Sequence, residues 1–147
     1  MLTHVYLRPA SQADTGNIAA LLTQCGLATE NLEEILDSFQ IALCDDRLVG
    51  CAAAECHGQS IVIRSVAVEP AYRDRGIASR LVEKLLVRAR GTEARHAFLL
   101  STSAPAYFAR WGFSRIPVDE APPELQASPE FRNAARSSAL CMHCELR

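Results

Sequence analysis

The sequence predicts a single domain over residues 1–147, of the α/β (α+β) class: a mixed, mostly antiparallel sheet flanked by helices. Three observations predict it. β-prone runs follow one another across short polar turns between Phe39 and Val68, which implies antiparallel neighbours. A long amphipathic run from about Gly76 to Arg90 separates two apolar strands, which implies a parallel crossover. Hydrophobic residues make up 49% of the chain, enough to bury a core.

The elements follow in order. THVYLRPA reads as a first strand ending at Pro9. In SQADTGNIAALLTQCG, Ile18, Leu21 and Leu22 share a helix face and Gly26 stops the helix. NLEEILDSF is a second short helix, with Asn31 as its cap. FQIALCDD and RLVGCAAAEC are strands around the turn Asp45-Asp46, and HGQS turns the chain into SIVIRSVAVEP, its most β-prone run. On the long helix Ile77, Leu81, Val82, Leu85, Leu86 and Ala89 form one stripe. HAFLLST is a short buried strand. APAYFARWG is a helix with Pro105 in its first turn and Gly112 at its end. FSRIPVD begins another strand, PPELQASPEFRNAARSS is a short helix plus irregular chain, and ALCMHCEL closes as a strand.

Bulk properties exclude several classes. Net charge is -2, so no global basic field draws nucleic acid or an anionic membrane. The N-terminus lacks a basic segment followed by an apolar one, and no apolar run is long enough to cross a bilayer. The six cysteines include Cys44, Cys51 and Cys56 in strand-like apolar runs, where a free thiol acts as a small hydrophobe. The expectation is a reduced, cytoplasmic protein. Cys141 and Cys144 in CMHC would point to opposite faces of a strand and so would not chelate one ion. His4, His57 and His96 lie apart without ligand spacing, and no metal is expected.

The stretch EPAYRDRGIASRL concentrates the chemistry. It sets Arg73, Asp74 and Arg75 at the mouth of the long helix, where the dipole is already positive. Such a mouth offers unpaired N–H groups, Gly76 lets a ligand approach the backbone, and Ala78 adds little bulk. With two guanidinium donors it suits phosphate oxygens. The spacing matches neither the Walker pattern nor GxGxxG.

The run from Val66 to Leu81, V-A-V-E-P-A-Y-R-D-R-G-I-A-S-R-L, resembles the signature of GNAT-fold N-acetyltransferases, with Arg73, Gly76 and Ala78 filling R/Q-x-x-G-x-G/A. L-R-P-A-S-Q-A-D at Leu7 to Asp14 resembles that family's first strand and helix cap, and Y-F-A-R-W-G-F at Tyr107 to Phe113 its late helix and turn. The resemblance implies acetyl-CoA as cosubstrate, a splay between the strands Ile61–Val68 and Phe98–Ser101, and cofactor-binding positions Val66, Ala67, Val68, Arg73, Asp74, Arg75, Gly76, Ile77, Ala78 and Phe108. Backbone groups of Val66 and Val68 would pair with the pantetheine amides, and the Val66 N–H would receive the oxyanion.

Two positions depart from the family pattern. Phe108 stands where many members carry a tyrosine acid, leaving Tyr107 beside it, with Ser101, Thr102 and Ser103 offering hydroxyls nearby. Arg64 and Val62 stand where members often carry a strand glutamate. If HGQS closes a two-residue hairpin, Glu55 lies diagonal to Arg64 on one sheet face. The expectation is a Glu55–Arg64 pair facing the acceptor cleft, serving as base and anion anchor.

The tail carries a second resemblance. P-P-E-L-Q-A-S-P-E-F at Pro122 to Phe131 and S-S-A-L-C-M at Ser137 to Met142 resemble the C-terminal block of acetyltransferases associated with arsenic-resistance operons, and more distantly the acetyltransferase domain of N-acetylglutamate synthase. Ala135-Arg136 replace a Cys-Pro common in the arsenic group. Both relatives imply a small, amino-acid-like amine, whose carboxylate Arg64, Arg132 or Arg136 would hold. The expected activity is N-acetyl transfer from acetyl-CoA to such an amine, in a possible homodimer, with no nucleic-acid or membrane partner. The alternatives are a non-catalytic acyl-CoA sensor and a soft-metalloid binder using Cys25, Cys56 or Cys141.

Overall fold

The computed structural model describes residues 4–101, 105–128, 131–132 and 139–146. Its elements are β1 (Val5–Pro9), α1 (Thr15–Gln24), α2 (Leu32–Ile35), β2 (Phe39–Cys44), β3 (Arg47–His57), β4 (Ser60–Val68), α3 (Ile77–Arg90), β5 (His96–Ser101), α4 (Pro105–Ala109), β6 (Ser114–Ile116), α5 (Pro123–Gln126) and β7 (Leu140–Glu145). The strands hydrogen-bond in the order β1-β2-β3-β4-β5-β7-β6. The chain packs as two compact units, one of Met1–Glu55 with Arg64–Arg88 and one of Cys56–Ile63 with Ala89–Arg147.

In the first unit β1, β2 and β3 form an antiparallel meander. Asp45 and Asp46 both have positive φ (50° and 65°), the backbone a tight primed hairpin requires. In the same hairpin the β2–β3 register slips between Ala42 and Leu43. The carbonyl of Val49, which falls in that slip, accepts the Glu69 N–H at 2.8 Å and so ties the loop after β4 to β3.

Gly50 then sets how close α3 can lie. A Cβ there would stand 3.0 Å from Ile77 Cγ2 and 3.2 Å from Leu81 Cδ1, so the first turns of α3 rest on bare backbone. The stripe read from the sequence is the buried one, from Ile77 through Ala89, while Val87 off the stripe is exposed. Ile18, Leu22, Phe39, Ile41, Cys51 and Ala53 form the unit's apolar core.

Arg8 on β1 clamps the entry to α1. Its Nη1 and Nη2 donate to Asp14 Oδ2 and Oδ1 at 2.8 and 3.0 Å, and the Ser11 N–H also donates to Oδ2, at 2.8 Å. A short 3-10 turn, Gln12–Asp14, precedes the α-helix proper. The Asp14 carboxyl is buried, and these donors, Arg8 first, hold its pKa at about 2.

Two local expectations are corrected. Asn31 occupies the cap position of α2 but makes no side-chain cap bond; it adopts a left-handed backbone (φ 63°) instead. The helix is only four residues long before it tightens into a 3-10 turn at Leu36–Ser38. Cys56, read as a strand hydrophobe, is exposed near the end of β3, while Cys44 and Cys51 are buried.

In the second unit β5 is central. Ser60–Ile63 of β4 pair with His96–Leu99 in parallel, the join expected around the long helix. β7 pairs antiparallel with β5 from Leu140 to Glu145, and β6 with β7. Val62, Phe98, Leu125, Phe131 and Cys141 form the core on one face. Gly112 follows α4 with φ 90°, as a chain reversal after a helix needs. Among the described residues no helix is long and apolar enough to cross a membrane.

Candidate active site

The site begins at a break inside β4. Ser65 has φ 57° in the middle of an otherwise extended strand. A left-handed non-glycine residue costs on the order of 1 kcal/mol or more and turns its peptide away from the regular ladder direction. The Ser65 carbonyl accepts from the Cys51 thiol on β3 at 3.4 Å. Burial pushes that thiol up to about 12, so it remains a donor. Past the break come Val66, half-buried, and Ala67 and Val68, buried.

Three groups fasten the strand's end and the loop that follows. Arg73 Nε donates to the Val68 carbonyl at 3.0 Å, and its Nη2 lies 3.6 Å from Cys25 Sγ. Arg47 forms an ion pair with Glu69. Arg75 stacks over the Tyr72 ring, 5.2 Å from its centroid. Arg73 thus commits part of its guanidinium to the protein's own backbone, beyond the ligand-facing part the sequence suggests.

Asp74 (φ 64°) and Gly76 (φ 79°) then turn the backbone twice through the left-handed region. Alternating hands of this kind aim successive N–H groups to one side. Asp74 is exposed and tolerates that backbone. At Gly76 an added Cβ would meet nothing within 4 Å, so the space above this backbone is open. Helix α3 starts at once: Arg80 N–H bonds to the Gly76 carbonyl at 3.1 Å, Ile77 is buried beneath, and Ala78 is half-buried on the first turn. The orphan N–H groups of a 14-residue helix therefore face out beside two arginines.

The pair expected between Glu55 and Arg64 is present. Arg64 Nη1 donates to Glu55 Oε2 at 2.7 Å, with the Arg64 and Glu55 side chains 23% and 18% exposed. Both heads thus stay within reach of solvent or a small solute.

In the second unit Phe108 is buried in an aromatic group with Tyr107, Trp111 and Phe113, edge-on to Tyr107 at 5.1 Å and to Phe113 at 6.2 Å. Tyr107 is half-buried and carries the Arg110 guanidinium 5.0 Å from its ring centroid. Ser101 closes β5; its side chain, like Thr102, Ser103 and Arg136, lies outside the described residues. Arg132 donates through Nε and Nη2 to the Ala127 carbonyl, at 3.2 and 2.6 Å, which makes it a chain tie in this structure. Among the described residues no group of three or more His, Cys, Asp or Glu is placed to hold a metal.

The sequence reading missed three features here. Ser65 gives no sign of its left-handed backbone, because nothing in its type demands it. Cys51 reads as a small hydrophobe and Cys25 as a thiol of the soft-metalloid alternative, yet their sulfurs meet the Ser65 and Val68 carbonyls. His96, taken as isolated, contacts His143; the antiparallel register of β5 on β7 is the signal that would have found it.

Comparison with known proteins bears on this geometry. The family model described as an acetyltransferase (GNAT) domain matches residues 36–115. An amino-acid acetyltransferase of Neisseria meningitidis is 32% identical over 143 residues, covering 91% of this chain and 32% of the relative. That of Aeromonas salmonicida is 32% identical over 128 residues, covering 81% and 29%. The chain thus spans about a third of the length of these curated relatives. Among solved structures, N-acetylglutamate synthase of Neisseria gonorrhoeae, complexed with coenzyme A and N-acetyl-glutamate, superposes with a TM-score of 0.85 at 29% identity, over 100% of this chain and 36% of that one. A Mycobacterium tuberculosis protein in complex with CoA gives 0.77 at 26% identity, over 97% and 99%.

Proposed function

Because the chain belongs to the acetyltransferase (GNAT) domain family, we propose that it transfers the acetyl group of acetyl-CoA to the primary amine of a small, amino-acid-like molecule. One observation carries the assignment of the cosubstrate site: two left-handed residues, Asp74 and Gly76, deliver the open start of α3 directly beyond the strand that breaks at Ser65. In this reading the diphosphate of CoA takes the N–H groups at that start, with Arg73 and Arg75 beside it. The pantetheine arm runs along Val66, Ala67 and Val68, and the Val66 N–H meets the developing oxyanion. Ile77 and Ala78 keep the helix mouth low.

Chemistry then needs a neutral amine. An alkyl ammonium titrates near ~10, so its proton must leave before the nitrogen attacks the thioester carbon. Glu55 is assigned that proton, directly or through water, and Arg64 a carboxylate of the acceptor. Collapse of the tetrahedral adduct breaks the C–S bond, and the thiolate takes a proton from solvent. An amino acid as acceptor is supported by the amino-acid acetyltransferases to which the chain is similar.

A second reading, an acyl-CoA sensor without turnover, is favoured by Phe108, buried among rings where an acid would otherwise stand, and by Arg64 and Val62 at the positions of the family's strand glutamate. Release of free CoA during incubation with acetyl-CoA and a panel of amino acids separates the two. Amine-dependent release is expected, strongest for acidic or amide amino acids; tight acetyl-CoA binding with no release from any amine leaves the sensor. Organoarsenical amines in the same panel test the link to arsenic resistance suggested by the tail. Sedimentation of the purified chain tests the homodimer.

A further inference from the structure

We propose that His96 and His143 form a binding site for a late first-row divalent cation, with nickel and copper as the best-fitting ions. His96 Nδ1 and His143 Nε2 lie 2.9 Å apart. The two residues come from neighbouring antiparallel strands, whose register places His96 opposite Glu145 and Phe98 opposite His143. Side chains alternate along a strand, so His96, Phe98, His143 and Glu145 share one sheet face.

Two neutral imidazoles this close must share a single proton, one ring donating and the other accepting. Moving the donor's proton to its far nitrogen leaves both facing nitrogens with lone pairs. Metal–imidazole bonds of about 2.0–2.1 Å set at a right angle put the two nitrogens about 2.9 Å apart, whereas a tetrahedral angle requires about 3.3 Å. The observed spacing is that of a ring N–H···N hydrogen bond, and it also matches neighbouring corners of a square or octahedral site, the geometry open to Cu2+ and Ni2+. Modest rotation of each ring is all that must follow for the lone pairs to converge.

The surroundings suit a ligand pair. The Phe98 ring packs 4.9 Å from His143 and restrains it on one side. Both rings remain only half-buried, so water can fill the other coordination positions. Glu145, opposite His96 in the register of β5 on β7, offers the cation a counter-charge. A bound ion would join β5 to β7 through side chains as well as through their ladder.

The test is calorimetric titration of the tag-free full chain with NiCl2, alongside His96→Gln, His143→Gln and His57→Gln, each checked for folding by circular dichroism. Expected is one equivalent of Ni2+ per parent chain, weakened at least tenfold by either substitution in the pair and unchanged in His57→Gln. His143→Asn repeats the measurement should His143→Gln misfold. No binding by the parent, equal binding when either member of the pair is replaced, or an equal loss in His57→Gln overturns the site.

Discussion

The Cys51 thiol donates to the Ser65 carbonyl, 3.4 Å away, at the one left-handed residue of β4. A buried carbonyl deprived of its donor costs about 1–3 kcal/mol. Cys51→Ala is therefore expected to lower stability by roughly that amount, with its cavity adding to the loss. If the break aims the Val66 N–H at the reacting carbonyl, the same substitution lowers kcat more than it raises KM for acetyl-CoA. Cys51→Ser, which keeps a donor, should recover turnover. Chemical denaturation and steady-state kinetics on the two variants read both effects; equal kinetics in parent and Cys51→Ala would remove the aiming role.

Arg73 has two tasks in the proposed site, and substitution separates them. Its Nε bond to Val68 is internal, whereas any contact with a diphosphate exists only when ligand is present. Arg73→Ala should weaken acetyl-CoA binding by about 1.5–3 kcal/mol, the range for hydrogen bonds to charged groups. Gly76→Ala is expected to weaken it as well, since φ 79° strains any residue with a Cβ and the added methyl enters the open space over the loop. Isothermal titration with CoA measures both, and unchanged affinity in both variants would move the diphosphate elsewhere.

What could be read from sequence, and what could not, divides along physical lines. The α3 stripe was legible because burial of a whole helix face imposes a period. The parallel join of β4 to β5 was legible because a helix intervenes, and the Glu55–Arg64 pair because a two-residue turn fixes register. Gly50 was not, since the contact that needs a missing Cβ is made by α3, far along the chain. Nor was Ser65, whose backbone is set by tertiary context against its own preference, nor His143, whose partner depends on how β7 registers on β5.

Asp14 gives the fold an acid limit. Its carboxyl, ordinarily near 3.8, is held at about 2, first by the Arg8 guanidinium and then by the Ser11 donors. A folded pKa below the unfolded one means stabilisation that is complete above pH 3.8 and lost as pH falls through about 2. Arg8 is 39% exposed, and solvent screening reduces the contribution to about 1–2 kcal/mol. Asp14→Asn should lose that much at pH 7, and parent and variant should converge near pH 2. Urea unfolding at stepped pH checks it; a gap that stays constant across the range contradicts the assignment.

Glu55 and Arg64 hold one another at 2.7 Å, and the proposed reaction asks each for something different. Glu55→Gln keeps the shape and a weaker acceptor while removing the base, so kcat should fall by 10²–10⁴-fold, about the scale of general-base catalysis. Arg64→Met keeps most of the length and loses the cation; KM for a carboxylate-bearing amine should rise while affinity for CoA stays unchanged. Breaking an ion pair with a purely structural role would lower stability in both variants without splitting kcat from KM. Steady-state kinetics across pH, set beside thermal unfolding of the same variants, distinguishes the two roles, and unchanged turnover in Glu55→Gln at every pH would remove it as the base.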